Sequence, residues 1–546
     1  MERNYMRISK AYILQYPEES RVCVDVNYNN HMSIYWYAVD KEYERYLCHE
    51  RNDAFVVAFL FYCMVKDMDI ISEGDVSAKL LYQLNEIFIP TLNSEIEEFH
   101  AISIIANSND RILESADNVG TSYSGGIDSF YTILKNQETI NENMKISCLT
   151  FFDSGFAGMT SFAELLHKRR SEKFSKTASK MGYPFLEVKT NIRYYTPFDP
   201  VVSFVALATA LSIQKFMNYY MFSSTYRFSE LKFDFNNCSS YDLLTTQCFS
   251  TENITFYSTG ADVSRLNKLE YIASYPVAQK NLDVCWCDFG NCLKDYCGKC
   301  QRTLIELFIL GKQEQFAEVF DSVFFMRNID KELGVLLYQK KTKKLRQAMY
   351  ERLIEKGYKF TQTSIDYSKH LEEVLGGLLY PEVKGFGSRF LIKLREELFE
   401  SDDKEKVRKI KNGLKEYYSF SEKEVEIEPK MYVFNWLKIA IADINPAQIV
   451  IDRNWKKIAI FGGGKQARNL VKSLGLVGVD PSYIVDDNPA TVKLLGNDSI
   501  KIIGVKDKWD DADLMVVTDS ESWEVVESGK FPPEKVMHVR NLVRII

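Results

Sequence analysis

No apolar run in this sequence is long enough to span a bilayer. The most apolar stretch, AFVVAFLFYCMV at residues 54–65, is about a dozen residues long. A spanning helix needs about 18–20, so a buried core helix is expected there. The opening MERNYMRISKAYILQYPEES has neither a long apolar core nor a small-residue cleavage site. It does not read as a secretory signal, and a cytoplasmic protein is expected. An excess of positive charge is also missing. The net charge is −7, which argues against a general electrostatic grip on nucleic acid. A disulfide framework is not expected in such a chain. Six of the 11 cysteines are scattered through apolar surroundings and read as small buried hydrophobes. The other five fall between residues 285 and 300 and need a separate explanation.

With 546 residues the chain exceeds one hydrophobic core. Four segments differ in character. Residues 1–112 mix strand-like runs (RVCVDVNY, MSIYWYAVD) with the apolar helix and read as an N-terminal α+β domain. Residues 113–310 alternate strand and helix. NVGTSYS, ISCLTFFD, PFLEVKTN, YYMFSST and NITFYST read as strands, and SFYTILKNQ, SFAELLHKRRSEKF and VVSFVALATALSIQKF as helices. That order predicts an α/β fold with a doubly wound, mainly parallel sheet, whose ligands bind at the carboxyl ends of the strands. Residues 311–445 are charged and helical. Residues 446–546 read as a separate small α/β domain.

A glycine-rich loop without a lysine joins the first strand and helix of the second segment. In SYSGGIDSF, Gly125 and Gly126 permit unusual backbone angles and close approach of an anion. The helix that begins near Asp128 directs free N–H groups at that anion, and Ser124 and Ser129 add hydroxyls. A plain strand–helix turn with a Ser or Asp cap fits the same spacing. The residue types go further. Ser124, Gly125, Gly126, Ile127, Asp128 and Ser129 spell S-G-G-x-D-S, which resembles the signature of the PP-loop ATP pyrophosphatases. The resemblance implies that the loop grips the pyrophosphate end of ATP, that Mg²⁺ assists, and that cleavage falls between the α and β phosphates. A missing P-loop lysine agrees with this, since that lysine serves β/γ chemistry.

Within VCWCDFGNCLKDYCGKCQRT, Cys297-x-x-Cys300 can place two thiolates on one tetrahedral ion, and an upstream pair completes a Cys₄ site. Zn²⁺ is the expected ion. Four thiolates leave no open position, so the role is structural. A redox CxxC and clustered buried thiols are the alternatives. A PP-loop followed about 160 residues later by such cysteines and an arginine resembles the 7-cyano-7-deazaguanine synthase family. That resemblance covers residues 115–305. It makes Cys285, Cys292, Cys297 and Cys300 the metal ligands, Arg302 the trailing arginine and Cys287 the spare or a replacement for Cys285. The four residues LKDY between Cys292 and Cys297 depart from the family spacing.

Between the two motifs, Asp262, Arg265 and Lys268 follow a strand, and Lys168, Arg169 and Arg170 form a second basic run that also suits a solvated helix face. Positive charge is required near the α-phosphate. Arg265 and Lys268 are therefore expected as catalytic residues with Asp128 and Ser129. In the last segment, FGGGKQA supplies Gly462-x-Gly464-x-x-Ala467, a dinucleotide-type turn, and Asp486 stands at a strand end as a ribose-binding acid. This pattern resembles the small Rossmann-like domains appended to sugar-modifying acyltransferases and methyltransferases. A fold without bound nucleotide, or a docking module, is the alternative.

The expected activity is that of an ATP-dependent carbon–nitrogen ligase. A carboxylate or carbonyl of a small molecule or modified base is adenylated, and ammonia or an amine displaces AMP. Two alternatives stand beside it. A sulfur-transfer or tRNA-modifying enzyme would need a reactive thiol at Cys238, Cys248 or Cys287, and a non-catalytic module would only bind nucleotide. A homodimer or an operon-partner protein is a further expectation.

Overall fold

Alternating apolar residues organise the strands of the first 260 positions into one large sheet and a separate two-stranded one, Val76–Ser77 with Ser108–Asn109. The computed structural model describes residues 4–28, 31–153, 161–192, 198–285, 290–291, 298–341 and 343–375. Beyond these it describes 405, 408, 455–462, 467, 470–471, 474–475, 478–486, 500–504, 507, 511–518 and 535–538. Two compact units result, Met1–Phe324 and Phe325–Ile546.

In the first unit the strands are β1 (Asn4–Ile8), β2 (Tyr12–Gln15), β3 (Glu19–Tyr28), β4 (His31–Asp40), β5 (Met68–Ser72), β6 (Val76–Ser77), β7 (Ile104–Ile105), β8 (Ser108–Asn109), β9 (Asn118–Ser122), β10 (Cys148–Asp153), β11 (Phe185–Thr190), β12 (Met217–Ser223) and β13 (Thr255–Thr259). The helices are α1 (Asp53–Lys66), α2 (Ala78–Tyr82), α3 (Ile89–Glu95), α4 (Ile127–Asn136), α5 (Ser161–Lys180), α6 (Phe198–Ser212), α7 (Asp242–Cys248), α8 (Arg265–Ile272), α9 (Pro276–Asn281) and α10 (Gly298–Leu310). The strands and helices expected between residues 113 and 260 all form.

The large sheet runs β13-β12-β9-β10-β11-β4-β3-β1-β5-β7, with β2 added on β3. From β13 to β11 every pairing is parallel. Strand β4 then pairs antiparallel with β11, at Lys189↔Ala38 and Thr190↔Tyr37. Beyond it β3 and β1 continue antiparallel, and β5 and β7 parallel. The fold is thus α/β with a large, mainly parallel mixed sheet.

Residues 1–112, expected as a separate domain, belong to the same unit and the same core as residues 113–310. Helix α1 packs on α6, and Phe55, Phe59 and Phe61 share one buried cluster with Phe204, Leu207 and Leu211. Both helices are apolar nearly all round, as helices covered on several sides are. Among the described residues no helix is long and apolar enough to cross a membrane.

One ion cluster also joins the two halves. Arg51 has a fully buried side chain, with Nε 3.2 Å from Asp53 and NH1 3.1 Å from Glu252. Its NH2 donates to Asn253 at 2.7 Å and Gln214 at 3.2 Å. Asp53 accepts in addition from the Ser77 N–H and from Gln214. Buried charges persist only when paired and hydrogen-bonded this fully.

The boundary between the units falls inside α11 (Ser322–Arg327). The second unit contains α12 (Ile329–Gln339), α13 (Lys344–Glu355) and α14 (Gln362–Leu375); the remainder of the segment expected as helical, 376–445, lies outside the described residues except for 405 and 408. Its sheet comprises β14 (Ile458–Phe461), β15 (Tyr483–Asp486), β16 (Lys501–Gly504), β17 (Leu514–Val517) and β18 (Val536–His538). These strands are all parallel, in the order β16-β15-β14-β17-β18. The strands are short apolar runs, such as IAIF in β14, YIVD in β15 and LMVV in β17.

Candidate functional site

The first strand of the parallel run, β9, has β10 on one side and β12 on the other. The chain therefore leaves β9 in one direction and later returns on its opposite flank. Such a reversal opens a crevice at the carboxyl ends of the strands, and the loop Tyr123–Gly126 begins there.

Gly125 adopts φ +71°, in the left-handed region. A Cβ there would lie 2.8 Å from the Phe174 ring and 3.1 Å from Asp283 Cβ, so both the angle and the space require glycine. Gly125→Ala is expected to lower the unfolding free energy by about 1–3 kcal/mol. Urea unfolding measures this, and an unchanged midpoint would show that the loop relaxes freely.

Gly126 is the N-cap of α4 and supplies no side-chain cap. The first-turn N–H groups, those of Ile127, Asp128 and Ser129, have no acceptor within the helix. Ser129 Oγ donates to the Gly126 carbonyl at 3.0 Å, and the exposed Ser124 donates to Ser129 Oγ at 3.4 Å. Helix α4 itself is amphipathic. Phe130, Ile133 and Leu134 are buried, and Tyr123 packs edge-on against Phe130 and Phe174.

Two cations from α8 reach Asp128. Lys268 Nζ lies 3.0 Å from Oδ1 and Arg265 NH1 lies 3.6 Å from Oδ2. Lys268 also donates to the Ser224 carbonyl at 2.5 Å, just past the end of β12. Its side chain is only 2% exposed. Of the sequence-predicted residues, Ser124, Gly125, Gly126, Ile127, Asp128, Ser129, Arg265 and Lys268 therefore meet at one place. Asp262 is exposed. Lys168 and Arg169 are exposed on α5, while Arg170 donates to the Cys285 carbonyl at 2.7 Å.

Several residues that sequence reading missed complete the site. Glu306 on α10 accepts from Arg265 Nε at 3.3 Å, and Thr303 Oγ1 accepts from its NH2 at 3.4 Å. Lys173 donates to Asp283 at 2.8 Å, and the Asp283 N–H donates to the Gly125 carbonyl at 2.7 Å. A lone glutamate in the apolar run TLIELFIL was the one signal in the sequence for Glu306. Asp283 carried none beyond its position two residues before Cys285.

Asp242 stands behind Lys268. It accepts from Ser224 Oγ at 2.9 Å and from Ser258 Oγ at 3.4 Å. Burial pushes its carboxyl from the ordinary 3.8 up to about 6. A carboxyl whose pKa is higher folded than unfolded holds its proton more tightly in the native state. Its contribution to stability is greatest below the unfolded value and falls as pH rises to about 6. The fall is worth about 3 kcal/mol. Asp242→Asn stays neutral, so denaturant midpoints compared at pH 4 and pH 7 should show a flatter pH dependence than the wild type. An unchanged slope would exclude Asp242 as its source.

Cys285 and Cys300 are both buried. Cys287, Cys292 and Cys297 lie outside the described residues, and among the described residues no three His, Cys, Asp or Glu side chains converge as a metal site. Arg302 lies on α10. Cys238 and Cys248 are buried, and burial pushes each thiol up to about 11. Neither offers a reactive thiolate at neutral pH.

In the second unit Gly462 takes φ +92° directly after β14, and its N–H donates to the Val485 carbonyl at 2.8 Å. Thr518 Oγ1, past the end of β17, donates to the Phe461 and Gly462 carbonyls. Asp486 ends β15, in register with Gly504. Gly464 lies outside the described residues.

Compared with known protein families, curated proteins and solved structures, the chain matches none.

Proposed function

We propose that the first unit is an ATP-dependent adenylating enzyme of the PP-loop type, with a doubly wound core formed by β9 to β13. The observation that carries this reading is the meeting of Asp128 with Lys268 and Arg265 at the open N-terminus of α4. A pyrophosphate leaving group requires backbone N–H donors and positive charge where negative charge develops. The first turn of α4 supplies the donors. Lys268 and Arg265 supply the charge, held in reserve by Asp128 until phosphate arrives. The ammonium that a P-loop carries inside its own loop comes here from a helix 140 residues further on.

Mg²⁺ suits the reaction as a companion of the ATP phosphates, which would furnish most of its ligands. Both oxygens of Asp128 face cations in the free protein. For Zn²⁺ the donor chemistry fits, since clustered thiolates are soft tetrahedral ligands. Cys285 and Cys300 would be two of the four, with Cys292 and Cys297, and the ion would brace the segment that carries Asp283 and Glu306. Buried Cys238 and Cys248 count against sulfur transfer. The acceptor is read as a carboxylate or carbonyl of a small molecule or modified base, and ammonia or an amine as the nucleophile. Nucleotide binding by the second unit is a lesser part of the proposal, supported by Gly462 and Asp486.

Incubation of the full chain with ATP, Mg²⁺, ammonia and a panel of carboxylated heterocycles, deazapurine acids among them, tests the reading. AMP and pyrophosphate are the expected products. Release of ADP and phosphate alone would overturn it.

A further inference from the structure

Glu306 is a charged side chain in an apolar helix face. Leu304, Ile305, Leu307 and Ile309 surround it in sequence and are all buried, and Glu306 itself is 1% exposed. A carboxylate is kept in such a place only by a partner that offsets its desolvation. That partner is Arg265, whose guanidinium is held at three points: Glu306 at 3.3 Å, Thr303 at 3.4 Å and Asp128 at 3.6 Å. The fork is planar and rigid, so a pull towards Glu306 and Thr303 is a pull away from Asp128. The distances agree with that competition. Lys268 sits 3.0 Å from Asp128, whereas Arg265 stays at 3.6 Å.

We propose that Glu306 is a positioning residue that restrains Arg265 from closing on Asp128 and so keeps the guanidinium available to phosphate. This rests on the adenylating reading above. Glu306 does not touch the ligand and acts only through Arg265. Removing its charge has two opposed effects. The more positive site would bind an anion more tightly, by severalfold at most at these separations in a partly wet crevice. The released arginine would close on Asp128 and forfeit a charge-assisted hydrogen bond to phosphate, a loss of about tenfold or more. The sign of the change therefore separates positioning from simple electrostatics.

Equilibrium binding of inorganic pyrophosphate, with Mg²⁺ present, is measured for the full-length wild type, Glu306→Gln, Arg265→Ala and the double variant. Glu306→Gln is expected to weaken binding about tenfold in the wild-type background and to change nothing in the Arg265→Ala background. A purely structural effect on α10 would weaken binding equally in both, and that result overturns the proposal, as does tighter binding by Glu306→Gln. If wild type binds pyrophosphate and Glu306→Gln binds it equally well, the positioning role alone falls. If wild type binds none, the adenylating reading falls and this inference with it.

Discussion

On the adenylating function proposed above, Lys268→Met should reduce AMP and pyrophosphate release by about 10²–10³-fold, the usual effect of losing one preorganised group that stabilises transition-state charge. The size follows from where the ammonium sits. It is buried between the Asp128 carboxylate and the Ser224 carbonyl. The Lys268 side chain is only 2% exposed, so little water can reach the position to replace it. Methionine keeps the length and most of the volume and removes the charge with its hydrogen-bond donors. Asp128 keeps Arg265 and partial exposure, but the folded state loses two charged hydrogen bonds, to Asp128 and to the Ser224 carbonyl, each worth about 1.5–3 kcal/mol. Steady-state pyrophosphate release alongside thermal unfolding measures both. A variant with full turnover would remove Lys268 from the chemistry, and a variant that fails to fold would show that its role is structural.

The second large effect is on stability. Arg51→Met should cost the first unit about 3–5 kcal/mol, the range for breaking a buried ion pair by removing one partner. Methionine fills the space, so the loss is electrostatic. Asp53 keeps Gln214 and the Ser77 N–H but loses its cation in a fully buried position. Burial already holds the Asp53 carboxyl above its ordinary value against the pull of Arg51, and without that arginine it rises further. A raised folded pKa favours the protonated native state, so the deficit of the variant should shrink as pH falls and be largest at neutral pH. Urea denaturation at pH 5 and pH 7.5 checks the sign. A deficit independent of pH would point to packing rather than to the stranded carboxylate.

The parallel half of the fold was legible in the sequence because each of its strands is a short apolar run closed by a polar or glycine turn, and each helix between them carries its own period. The loop was legible because Gly125 is required by backbone angle and space, which only glycine meets; Gly126, at φ −82° with room for a Cβ, is not required in the same way. Pairing was not legible. Nothing in MSIYWYAVD announces that β4 will join β11, since a strand's partner is set by packing of both faces and not by its own residues. The same holds for Glu306, Asp283 and Lys173. Each is an ordinary charged residue until the chain brings it beside a distant partner, 41 positions away for Glu306 and 110 for the Lys173–Asp283 pair. Arg265 and Lys268 stood out only as charges following a strand, and their common target, Asp128, emerged from three dimensions.

The antiparallel join between β11 and β4 has a practical consequence for anyone who would dissect the protein. A fragment cut near residue 113, where the sequence changes character, would carry the loop and both cations yet present β11 as a bare edge and α6 as a naked greasy surface. Such a piece would self-associate before it could be assayed. Transplanting the loop with its strands into another scaffold would meet the same obstacle. A transferable part must keep the first hundred residues with the loop, since they supply the strand that pairs with β11 and the helix that covers α6.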